Sequence, residues 1–237
     1  MGRFPNIAAS KAKTGAAQAK VYSSFAKEIY QTAKNGGVDP DGNLNLRRLI
    51  EKAKKEQVPS DVINRAIEKA KGASGEDYET ILYEGFGPGA STLIIKTMTD
   101  NVNRTVGEVR AAFNKVHKSL GVTNSVSYNY DNLTIVSFKC DDEEVIFNSL
   151  LEQEIDIIDF ESEDKILTIS VNPNSQHKLK DALENLMPNI DYIVDETGYY
   201  PKDKITLEGA DLEDFKKLIR ILEEVEDVTN IYHNVNE

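Results

Sequence analysis

Three apolar stripes at helical spacing open the chain. Val21, Phe25 and Ile29 recur every four residues and stop at Gly36-Gly37. Leu46, Leu49, Ile50 and Ala53 share a face beyond the DPDGN turn, and Ile63, Ala66 and Ile67 follow Pro59, with Ser60 placed to cap them. Recurrence at three and four residues predicts amphipathic helices from about Ala16, across 44–55, and from Ser60 to Gly72. Each is too short to stand alone in water, so the three are expected to bury their stripes together as a small bundle. GASGED then reads as a linker and hinge.

Past Tyr78 the period shortens to two. Ile81 and Tyr83 alternate, GFGPG turns the chain, STLIIKTMT reads as a buried strand, a helix follows Thr105, and SVSYNY (125–130) alternates again. Residues 133–196 read strand, helix, strand, strand, helix, strand, the split βαβ or ferredoxin-like order. With that block removed, the flanks give the same order from 92–98, 105–118, 125–130, KITLEG, 212–225 and VTNIYHNV. The expected fold is therefore α+β: a three-helix N-terminal domain (1–75), a ferredoxin-like unit (76–130 plus 205–237), and a second ferredoxin-like unit (131–204) inserted into the first.

Charge divides the chain differently from hydropathy. Arg3 to Lys71 holds 14 of the 28 lysines and arginines and 7 of the 40 acids, a net of +7, and the remainder is −19. Such asymmetry points to a polyanion partner, with the acidic part as scaffold. The residues expected to contact phosphates are Arg3, Lys11 and Lys13 on an N-terminal arm, with Lys20, Lys27, Arg47, Arg48, Lys52 and Lys55 on the helices. Asn103 and Arg104 could extend the contact. They lie in TDNVNRTVGEVR at the start of a helix, where free backbone N–H groups favour anions, and the rival reading is plain N-capping. Few aromatics accompany the charge, so backbone or shape recognition is expected over base stacking.

Catalytic signals are poor. His117, His177 and His233 stand at no metal spacing, and Cys140, followed by four acids, reads as a small packed side chain. Asp141 to Glu144 fall at a predicted helix start, where they meet the dipole. GFGPG lacks the spacing of a phosphate loop and reads as a hairpin turn. We therefore expect no enzyme, no metal, no cofactor and no small-molecule substrate. No apolar run nears the roughly 18 residues of a membrane span, no secretory apolar core opens the chain, and a single cysteine fits a reducing compartment, so a cytoplasmic protein is expected.

Several of these segments resemble the YebC/PmpR family: Asn6-Ile7, GGVDP (36–40), VPSDVINRAI (58–67), and above all YEGFGPG (83–89) and TDNVNRTVGEVRAAF (99–113). The resemblance is to its second, YeeN-like subgroup, because Gly2-Arg3-Phe4-Pro5-Asn6 stands where members commonly carry a GHSKW-type arm. It implies a helical domain and two α/β domains in a cytoplasmic, non-enzymatic regulator of gene expression. Members are generally described as DNA-binding transcriptional regulators. Some are tied instead to translation at the ribosome, relieving stalling at proline-rich stretches, with ribosomal RNA or tRNA as the partner. A protein-interaction scaffold is the remaining alternative.

Overall fold

The structure is a computed structural model that describes residues 15–72 and 77–236. Two compact units emerge: one comprises residues 128–203, and the other joins the preceding helices and strands, to residue 127, with residues from 204 onward.

The larger unit begins with α1 (Gly15–Gly36), α2 (Leu44–Lys55) and α3 (Ser60–Lys71). Ile29, Tyr30, Ala33, Leu46, Ala53, Val58, Ile63 and Ala66 form their common core. Gly37 ends α1 at φ +99°, a left-handed conformation open to glycine at little cost, with its N–H on Ala33 O at 2.9 Å. Asn43 is buried and ties two helices together. Its side-chain oxygen caps α2 at Leu46 N, while its amide donates to Gly37 O (2.8 Å) and Thr32 O (3.2 Å) on α1. Ser60 does not cap α3 as expected. Pro59 takes the cap position, its carbonyl meets Val62 and Ile63, and Ser60 becomes the first helical residue.

The α/β part of this unit holds β1 (Glu79–Phe86), β2 (Thr92–Thr99), α4 (Val102–Asn114), β3 (Ser119–Leu120), α7 (Gly209–Glu224) and β8 (Val228–His233). Its antiparallel sheet runs β3-β1-β2-β8, with α4 and α7 packed over Leu93, Ile95 and Val228. The expected strand at 125–130 is absent: 127–129 is a 3-10 turn. KITLEG contributes only a parallel bridge from Ile205 to Val235. The place beside β2 belongs to β1, which pairs from Glu79↔Thr99 to Phe86↔Thr92 across one tight turn. Closing that short hairpin costs far less chain entropy than recruiting a strand about a hundred residues away.

In the unit of residues 128–203 the expected alternation appears as β4 (Tyr130–Lys139), α5 (Glu143–Glu152), β5 (Ile157–Glu163), β6 (Ile166–Val171), α6 (Gln176–Leu186) and β7 (Tyr192–Pro201). The order β5-β6-β4-β7 is that of a ferredoxin-like sheet, with Val136, Phe138, Ile146, Leu150, Leu167, Ile169, Leu179 and Leu183 between sheet and helices. Asp142 caps α5 by accepting from Val145 N at 3.2 Å, which accounts for one of the four acids at that helix start.

Candidate nucleic-acid interface

The basic helices use their charge in two ways. On α2, Arg48, Lys52 and Lys55 follow one another at i, i+4 and i+7 and so share one stripe, opposite the buried Leu46 and Ala53. Lys55 is exposed, Arg48 and Lys52 are half-buried, and Lys54 lies exposed beside them. Arg47 is held at the helix start by Asp41 (3.0 Å) and Pro40 O (3.3 Å).

On α1 the cations turn the other way. Lys20, expected on the phosphate-facing surface, donates to the carbonyls of Glu223 (2.5 Å) and Val225 (3.1 Å) at the end of α7. Burial pushes its ammonium down to about 8, against the pull of Glu223, and its charge is directed at those two carbonyls. Lys27 is buried, 2.8 Å from Asp227 Oδ1 and 3.3 Å from Met98 O. Helical spacing shows which residues share a face. It does not show that the neighbouring sheet covers that face.

Asp227, a residue that sequence reasoning passed over, organises this seam. It is 2% exposed, and its Oδ2 accepts from Arg104 Nη2 (2.6 Å), Thr105 Oγ1 (2.8 Å) and Thr99 Oγ1 (3.0 Å). Burial by itself would raise its pKa, but Lys27, Arg104 and the two hydroxyls outweigh it and hold the carboxyl well below the usual range. Asp100 takes a second contact from Arg104 at 2.8 Å, so two carboxylates balance two cations. Asn101 caps α4 at Arg104 N (3.0 Å). At the start of α4 the backbone N–H groups of Arg104 and Thr105 go to Asn101, which is the N-capping arrangement, and Asp227 is held there by side chains alone. Asn103 stays exposed on the first turn of α4, and Arg104 keeps 44% of its side chain accessible.

The other diagnostic segment, YEGFGPG, is likewise structural. Glu84 is buried and accepts the backbone N–H groups of Asn124, Val126 and Ser127 at 2.8, 2.7 and 2.9 Å. Burial pushes its carboxyl up, yet those three bonds prevail and leave it below the ordinary value. In the turn, Gly87 N bonds Ser91 O (2.8 Å) and Ser91 N bonds Pro88 O (3.2 Å), so these amides are not offered to a phosphate. A Cβ at Gly85 would fall 2.5 Å from the Phe113 ring, which explains glycine there. Arg3, Lys11 and Lys13 lie outside the described residues. Among those described, no group of His, Cys, Asp and Glu could hold a metal ion.

Residues 2–73 match the TACO1/YebC N-terminal domain, and residues 78–235 match the TACO1/YebC second and third domain. The chain belongs to the TACO1/YebC family. Relatives named "probable transcriptional regulatory protein" in Saccharophagus degradans (46% identical over 99% of both chains) and Vibrio campbellii (45%, the same coverage) align along the whole length. The crystal structure of a conserved hypothetical protein from Aquifex aeolicus superposes with a TM-score of 0.73 at 29% identity, covering 99% of this chain and 97% of that one. The TACO1/YebC match spans both units, and the two most diagnostic segments, YEGFGPG and TDNVNRT, are those that fix Glu84 and receive Asp227. No helix among the described residues is long and apolar enough to cross a membrane.

Proposed function

We propose that the protein is a non-enzymatic, cytoplasmic regulator of gene expression that grips a nucleic-acid backbone with its helical domain. The observation that carries this reading is the charge partition, +7 over Arg3 to Lys71 against −19 elsewhere, with Arg48, Lys52 and Lys55 in one stripe on α2. The arm residues Arg3, Lys11 and Lys13, with Arg47, Lys54 and Asn103, complete the proposed contact; Lys20 and Lys27 support it from behind by seating α1. The name carried by the relatives, probable transcriptional regulatory protein, supports a role in expression control.

Reversing the stripe with R48E/K52E/K55E should weaken binding to a mixed-sequence DNA or RNA by at least about tenfold at moderate salt. It should also flatten the salt dependence, because roughly one condensed ion is released per phosphate neutralised. Unchanged affinity and slope would refute the reading. A ribosomal target is favoured over extended duplex by one feature: residues 131–203 carry 18 acids against 5 lysines, a net of −13, which repels a long polyanion away from the helical domain. Co-sedimentation with ribosomes that exceeds promoter-fragment binding at physiological salt supports that target, and the reverse ranking supports DNA.

A further inference from the structure

Most of the chain's negative charge lies in one unit. Residues 131–203 supply −13 of the −19 found outside Arg3 to Lys71, and residues 141–164 hold 11 acids with no lysine or arginine. Stability explains only part of this. Asp141 pairs with Lys165 (2.8 Å), Asp142 caps α5, and Glu143 and Glu144 meet the positive end of the helix dipole. Glu152 and Glu154 stand at the opposite end, where the dipole disfavours carboxylates, and no basic residue occupies the last turn. Glu154 also takes a left-handed φ of 52°, a position where glycine or asparagine would be less strained.

The same surface exposes apolar side chains. Phe147 is 38% and Leu151 52% exposed one helical turn apart, and Ile158 is 42% exposed at a bulge of β5, which lies at the edge of its sheet. Phe147 meets Phe160 of β5 edge-on at 5.1 Å, so the exposed edge of α5 packs directly on β5. We propose that this α5–β5 face docks a lysine- or arginine-rich amphipathic segment of a protein partner. The segment's apolar side chains seat on Phe147 and Leu151, and its cations meet Glu143, Glu144, Glu152 and Glu154. Charge complementarity selects the occupant: nucleic acid and anionic membranes are repelled by this unit, and an uncharged peptide would leave its carboxylates uncompensated.

The test uses the full chain and three labelled 18-residue peptides: lysine–leucine with helical amphipathicity, lysine–serine of equal charge, and glutamate–leucine. The lysine–leucine peptide should bind about tenfold or more tightly than lysine–serine, and glutamate–leucine should not bind. Leu151→Gln, an exposed substitution, should cost several-fold, and E152K/E154K should cost about tenfold and reduce the salt dependence. R48E/K52E/K55E should leave peptide binding unchanged, which separates this inference from the nucleic-acid reading. Equal binding of the two lysine peptides overturns the proposal, as does indifference to Leu151→Gln and E152K/E154K together. Self-association lost in Leu151→Gln, measured by sedimentation, overturns it in favour of a second copy.

Discussion

A carboxylate that is 2% exposed and touched by two cations and two hydroxyls is costly to disturb from either side. Replacing Asp227 with Ala leaves Lys27 buried without its counter-charge and should lower the unfolding free energy by about 3–5 kcal/mol, read from the urea midpoint. Lys27→Met should cost less, since an apolar chain of similar volume fills the site, although Asp227 keeps only Arg104 as its cation. Asp227 and Glu84 are both held below their ordinary values of 3.8 and 4.5, so each binds fewer protons folded than unfolded. Their stabilisation is complete above those ordinary values and is lost as pH falls toward the folded ones. Urea titrations should show stability falling below about pH 4.5, and Glu84→Gln should be less stable at neutral pH with a shallower acid limb. The TDNVNRT segment left two readings open, an anion site and plain N-capping, and the structure shows the cap at Asn101 with Arg104 and Thr105 turned to an internal carboxylate. That this carboxylate is Asp227 was hidden, because the residue lies in the run EEVED, where every acid reads as solvated.

Elements followed the hydrophobic pattern wherever the stripe or alternation was clear. The three helices, the GFGPG hairpin and the six elements of residues 130–201 were legible, because each carries its own stripe or alternation. SVSYNY failed as a strand for a physical reason: Tyr128, between the buried Val126 and Tyr130, is 66% exposed, and the N–H groups of Val126 and Ser127 go to Glu84, so the backbone turns there. Alternation in the sequence does not make a ladder, because a carboxylate can satisfy the same amides that a sheet would. Two substitutions test the junctions. Gly85→Ala puts a methyl into the Phe113 ring and should cost about 1–3 kcal/mol without changing the slope of urea unfolding. Asn43→Ala removes the α2 cap together with the α1 tie and should cost about 1–2 kcal/mol, with faster amide exchange at the α1–α2 turn.

On the scale of the whole molecule, the helical domain is seated by Lys20 and Lys27, so part of its positive charge is structural. In D227A, amides of α1 should exchange faster while those of β4 to β7 keep wild-type protection. Loss of protection in both would mean that the aspartate supports more than this seam. The sequence alone determined the α+β class and the lopsided charge, since periodicity and charge are properties of residues and their near neighbours. Only the tertiary structure decided which cations face solvent, that β1 rather than KITLEG flanks β2, that Asp227 receives Arg104 and Thr105, and that Glu84 receives the amides of 124–127. Those outcomes depend on contacts between residues more than a hundred positions apart in the case of Asp227, and no local pattern encodes which distant partner will close them.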